Sequence, residues 1–336
     1  MAKSNFQKFY TQKSNAQKKE EIKQEKRKAR ADKQAYFEKK KAAEKQGSGR
    51  PEAAAGRVGG KRSTAATALP KPVTFRKEGN SGEMPLNKFI AHSGVCSRRD
   101  AAAEIKKGLV TVNGTLVTEP GHKVTEADKI TFNGKQVFVQ KEVVYILLNK
   151  PKDYITTSAD PQGRKTILEL VKGATTQRIY PVGRLDRNTT GVLLLTNDGE
   201  LTQKLSHPSF QVKKVYEVTL DRPLEKNDFQ QLLQGLTLED GFIAPDAVGY
   251  ADPKNKKVVG IEIHSGRNRI VRRMFEHLGY DVRNLDRVLF GNLTKKNVER
   301  GRWRYLTEKE VRLLKFMNKS FVKKKEEKQG KNRDEE

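Results

Sequence analysis

The chain has 336 residues, 35 % hydrophobic and 32 % charged, with 68 Lys+Arg against 41 Asp+Glu for a formal net charge of +27. That length holds two domains plus tails, and the charge favours a polyanionic partner, nucleic acid ahead of an acidic membrane surface. One cysteine, Cys96, excludes an intramolecular disulfide and a cysteine zinc site, five scattered histidines suggest no metal centre, and no apolar leader or membrane-length apolar run is present, so the sequence reads as soluble and cytoplasmic.

Residues 1–82 carry 22 Lys+Arg and 8 Asp+Glu, about half of the excess charge. Residues 17–45 are rich in helix formers with almost no apolar face, and Gly, Ser, Ala and Pro follow to residue 72, so a frayed helix and a flexible linker are expected. An anchor on RNA phosphates is the functional reading of this largely disordered tail, and a solubility tail is the plain one. Within 84–140, Leu86, Phe89 and Ile90 recur at helical spacing. Ser97 and Asp100 form a capping box for a second helix, and Leu109–Val112 with the Asn113–Gly114 turn opens a set of short strands. Arg98 and Arg99 open the second helix, where side chains and free backbone N–H groups meet a phosphate together, and Lys106 and Lys107 extend the basic face.

Residues 143–317 alternate strand-like runs (143–148, 191–195, 216–220, 258–263) with helical ones (223–234, 268–278, 307–317), plus a short amphipathic helix through Ile167, Leu168 and Val171. This mixed order fits an α+β sheet rather than regular βαβ units. Near Gly56 a phosphate loop fails, because Ala55 replaces its first glycine and Arg62 follows Lys61. In YPVGRLDRNTTGVLLLTNDGEL, residues 180–201, Asp186 stands between Arg184 and Arg187 just before an apolar strand. Neighbouring guanidinium groups favour an ionised carboxylate, available as nucleophile or base, but a surface Arg–Asp pair of little energetic value has the same composition. Residues 318–336 hold 7 basic and 5 acidic residues without periodicity and read as a second disordered tail.

Two resemblances decide between these readings. LNKFIAHSGVCSRRDAAAEIKKGLVTVNG resembles the S4 RNA-binding domain. GRLD with TTGVLLLTNDGEL closely resembles the signature of the RsuA family of ribosomal RNA pseudouridine synthases, which comprises the A type of the small subunit with the B, E and F types of the large one. LNKP, DPQGRKT, SHPSF, KVYEV, SGRNRIVRRMFEHLGYDV, LDRVLFGNL and GRWRYLTEKEV extend the likeness from residue 84 to about 317. It implies a mixed, mainly antiparallel sheet with flanking helices behind a small S4-like α/β domain. The implied activity is isomerisation of uridine in ribosomal RNA, with the B type and 23S RNA preferred. It further implies no cofactor, no metal and a monomer.

The same resemblance assigns Asp186 as the catalytic aspartate, Tyr216 as the active-site tyrosine and Arg272 as the arginine paired with the carboxylate. By base rate a strand tyrosine is core; the Lys-x-Tyr match reverses that. Lys150, Arg164, Arg184, Arg267, Arg269 and Arg273 are assigned, with Arg98, Arg99, Lys106 and Lys107, to RNA contacts; Arg184 has the alternative of pairing with Asp186. Ile270 departs from a polar residue common in relatives, and Asp153 from a glycine. A small-subunit 16S synthase and a catalytically passive ribosome-assembly factor are the rival functions.

Overall fold

The computed structural model describes residues 75–76 and 82–316, apart from 159 and 253. The helix expected at 17–45, its linker and the C-terminal tail lie outside the described residues. In the basic module, α1 (Leu86–His92) and α2 (Arg98–Lys106) pack together, and α2 starts with the expected box: the Ser97 hydroxyl accepts from Asp100 N, and Asp100 accepts from Ser97 N. Strands Val110–Val112, Thr115–Leu116, Ile130–Phe132 and Lys135–Gln136 form one antiparallel sheet. Asn113 and Gly114 both take positive φ, 53° and 85°, the twist a two-residue hairpin demands. Leu86, Phe89, Ile90, Ala101, Ile105, Val110 and Ile130 form this module's core.

The larger domain is built on β1 (Tyr145–Lys150), α3 (Ile167–Leu170), β2 (Thr189–Thr196), α4 (Gly199–Ser206), β3 (Lys214–Leu220), α5 (Lys226–Gln234), β4 (Ala247–Asp252), β5 (Asn255–Ile263), α6 (Ile270–His277), β6 (Val282–Phe290) and β7 (Trp303–Tyr305). A last helix covers 308–316. The strands lie in the order β4-β5-β3-β6-β2-β1-β7, and all these neighbours are antiparallel except β2 and β6. The architecture is mixed α+β with a mainly antiparallel sheet.

β1 and β2 are buried at every position because both faces of the sheet are covered. One face places Ile146, Leu148, Leu193 and Leu195 against Ile167, Val171 and Leu185; further along it, Val218 and Ile261 meet Val271, Met274 and Phe275. The other packs Leu147, Val192 and Leu194 on Leu201, Leu205, Val311 and Leu314. Each such side chain contributes about 1.5–3 kcal/mol on burial. The four apolar residues that α6 buries, Ile270, Val271, Met274 and Phe275, therefore fix where Arg272 lies.

Several elements differ from the sequence reading, which gives no strand at β4 or β7. The helix at 199–206 is not anticipated, although Asp198 caps it by accepting from Leu201 N. β6 is not anticipated either, because Arg283, Asn284, Asp286 and Arg287 interrupt its apolar pattern; Asp286 and Arg287 are nonetheless buried.

Candidate active site

Asp186 sits in the loop that leads into β2, half-buried, with Leu185 beside it anchored in the core. The backbone of this loop is fastened by side chains from the preceding segment. The Thr156 hydroxyl donates to Leu185 O at 2.8 Å and accepts from Leu185 N at 3.3 Å. Lys150 is fully buried at the end of β1, and its Nζ donates to the carbonyls of Asp186, Arg187 and Thr189 at 3.0, 3.1 and 2.9 Å and to Pro151 O at 3.2 Å. Burial lowers the Lys150 amine to about 8, while the Asp186 and Asp153 carboxylates oppose that shift. Asp186 O also accepts from Thr189 N, and the Thr189 hydroxyl donates to Asp186 Oδ2 at 3.4 Å.

Strand register brings the loop's anchor into line with the tyrosine. Tyr216 on β3 faces Arg287 on β6, Arg287 faces Gly191 on β2, and Gly191 faces Lys150 on β1. Facing residues share a side of the sheet, so these four form one transverse row. Gly191 has φ 109°, and an added Cβ would lie 2.2 Å from Arg287 O. Only glycine fits there. Arg287, 2 % exposed, donates from Nε to Val192 O and lies over the Phe290 ring. Burial lowers its pKa, and the adjacent Tyr216 hydroxyl acts the other way. Lys214, two residues before Tyr216 and on its side of the strand, is brought down to about 8 by burial and donates to Val212 O and His264 O.

Arg272 is buried on α6, with Nη1 donating to Val282 O at 2.9 Å and Nε left without a partner. Burial and then Arg269 depress its pKa; Asp186 acts on it in the opposite sense. Arg272 therefore lies within electrostatic reach of Asp186, while its one hydrogen bond goes to Val282 O. The flanking arginines do not clasp Asp186: Arg187 pairs with Asp153 at 3.2 Å, and Arg184 is exposed. Asp153 takes φ 68°, the left-handed conformation that a glycine would adopt freely.

The arginines and lysines assigned to RNA divide into three groups. Lys150 is corrected: buried and enclosed by carbonyl oxygens, it has no surface to offer a phosphate. Arg164, Arg267, Arg269 and Arg273 are exposed or half-buried but face acids, namely Asp160, Asp240, Glu276 and the Glu239–Asp240 pair; Lys107 faces Glu104. Arg98, Arg99, Lys106 and Arg184 stand exposed. Sequence reading missed Thr156 and Arg287; for Arg287 the one available signal is its place directly before the apolar run Val288–Phe290. Among the described residues, no group of three His, Cys, Asp or Glu is placed to hold a metal ion, and no helix is long and apolar enough to cross a membrane.

A small basic module thus stands in front of a sheet that aligns a tyrosine with the anchor of an aspartate loop. Residues 144–277 match the RNA pseudouridylate synthase family, and residues 84–130 match the S4 domain. Over 235 residues the chain is 44 % identical to the ribosomal large subunit pseudouridine synthase B of Bacillus subtilis (strain 168), covering 69 % of this chain and 96 % of that protein. It is 34 % identical over 228 residues to the dual-specificity RNA pseudouridine synthase RluF of Escherichia coli (strain K12), covering 67 % and 76 %. A crystal structure of a pseudouridylate synthase superposes with a TM-score of 0.51 at 30 % identity, over 69 % of this chain and 99 % of that one. The chain belongs to the RNA pseudouridine synthases, which are isomerases.

Proposed function

We propose that this protein converts a uridine of large-subunit ribosomal RNA to pseudouridine, with Asp186 as the catalytic carboxylate and no cofactor. The observation that carries the reading is the pinned loop: four carbonyl contacts from buried Lys150 hold the backbone around Asp186 while its carboxylate stays half-open. The target is supported by the Bacillus relative, a synthase of the large ribosomal subunit.

In the reaction the bond from ribose C1′ to uracil N1 breaks, the base turns, and a C1′–C5 bond forms; N1 gains a proton and C5 loses one. Composition and oxidation state are unchanged, so no donor or oxidant enters. The Asp186 carboxylate starts the reaction by attack at C1′ or by removal of the C2′ proton. Tyr216 stacks on the extruded uracil, with Arg287 facing it on the neighbouring strand. Arg272 supplies positive charge toward the carboxylate. Extruding the base costs a few kcal/mol, which exposed Arg98, Arg99, Lys106 and Arg184 help to offset through phosphate contacts.

The test is to map pseudouridines in ribosomal RNA from cells carrying the natural gene or Asp186→Asn. Loss of one large-subunit site is the expected result. Loss of a small-subunit site would overturn the target, and an unchanged map would overturn the chemistry.

A further inference from the structure

Behind the row that holds Tyr216, Arg287, Gly191 and Lys150 runs a second row that faces the other side of the sheet: Glu217, Asp286 and Thr190. Asp286 is 7 % exposed and accepts from Thr190 Oγ1 at 2.9 Å, from Arg300 Nη1 and Nη2 at 3.1 and 3.0 Å, and from Lys295. Arg300 Nη1 is shared with Asn149 Oδ1 at 2.8 Å and Lys150 O at 3.3 Å. Asn149 is tied to the same turn by Nδ2 to Val298 O and by its backbone to Arg302 O and Gly301 N.

Taking the Asp286 carboxylate out of water costs several kcal/mol in lost hydration, and apolar residues would join three strands with less penalty. What apolar residues could not do is fix particular atoms. The atoms fixed here are the end of β1, whose Lys150 amine clasps the loop on the opposite side, and Thr190, the second residue after that loop. Arg300 therefore touches the carbonyl of the residue whose ammonium holds Asp186 O, and Asp286 holds both Arg300 and the loop's exit.

We infer that Asp286 and Arg300 form a positioning pair for the Asp186 loop, acting from the far side of the sheet through Lys150 and Thr190. This rests on the catalytic reading of Asp186 given above. Neither residue faces the site itself. Arg300 suits the task because a planar fork grips the Asp286 carboxylate with two nitrogens while one of them also reaches Asn149; a lysine offers a single point charge.

The test uses the full chain with Arg300→Met and Arg300→Lys, read by single-turnover conversion of an RNA substrate, RNA affinity, and hydrogen exchange of the amides at 186–190. The side chain of Arg300 is 43 % exposed, so its removal leaves no sealed cavity. Arg300→Met is expected to lower the single-turnover rate roughly 10- to 100-fold, as a misplaced reacting group does, with RNA affinity within about twofold and faster exchange at Thr189. Arg300→Lys should recover part of both; it also carries the comparison if the Met variant does not fold. Unchanged rate and exchange overturn the inference, as does a loss confined to RNA affinity, which would make Arg300 a phosphate contact. Asp186→Asn serves as the control in the same assay. Activity retained there would reject the catalytic reading, whereas the exchange at 186–190 reports on the positioning pair independently.

Discussion

Lys150→Met isolates what the buried ammonium does. Methionine keeps an unbranched stem of similar length and removes the four donations to Pro151, Asp186, Arg187 and Thr189. Hydrogen bonds from a charged donor contribute about 1.5–3 kcal/mol each, but Asp186 O keeps Thr189 N and Arg187 O keeps Asp153 N, so the loss is nearer about 3 kcal/mol than the sum of four. Against it stands the penalty of holding a charge in the core. A shift from 10.5 to about 8 makes the ammonium about 3 kcal/mol less favourable in the fold than in the unfolded chain. The two effects offset, so stability at pH 7 should change little while the loop loses its clasp, and turnover should fall roughly 100-fold. Because burial lowers the amine's pKa, the folded protein releases this proton first. Wild-type stability should therefore rise between pH 8 and about 10.5, by up to about 3 kcal/mol from Lys150, and the variant should lack that part. Lys214 is shifted the same way and is present in both proteins, so its contribution cancels in the comparison. Urea unfolding at pH 7 and pH 10, with single-turnover rates at pH 7, measures each quantity. A normal rate, or an unaltered difference between the two pH values, would refute the reasoning.

Gly191→Ala should lower the melting temperature by at least roughly 6–12 °C, since about 3 kcal/mol of backbone strain and collision with Arg287 O cannot relax in a central strand; differential scanning calorimetry decides it. The double change Arg98→Ala with Arg99→Ala should reduce the slope of log affinity against log salt by about 1–2, whereas Arg164→Ala, already faced by Asp160, should move it less; equal slopes would reject that distinction. Asp153→Gly should leave unfolding free energy within about 0.5 kcal/mol, because relief of the left-handed backbone balances loss of an exposed pair with Arg187. A drop of about 2 kcal/mol in chemical denaturation would contradict it.

Local rules were enough for much of the fold. The Ser97–Asp100 box, the Asn113–Gly114 turn and the apolar arc of α6 are set by neighbours in sequence, and each forms where the pattern places it. β6 was illegible because Asp286 and Arg287 read as surface charges. They are buried only because Arg300, Lys295 and Thr190 surround one and Val192 O and Phe290 receive the other, all tertiary partners. Lys150 fails as an RNA contact for a similar reason: a lysine before proline looks exposed until the distant loop closes over it. Arg164, Arg267 and Arg273 carry the right charge in sequence, yet sequence alone does not reveal which acids fold back against them.

The parallel pairing of Thr189–Gly191 with Leu285–Arg287 has a consequence for how the chain assembles. β6 joins two half-sheets, β4-β5-β3 on one side and β2-β1 on the other, and it is synthesised after all five. Until it arrives, β2 and β3 each present an open edge, which is a hazard for self-association in a nascent chain. Contacts this remote in sequence form slowly. A polypeptide that ended before residue 282 would already contain the aspartate, the tyrosine and Arg272, and still have no strand to bring them together.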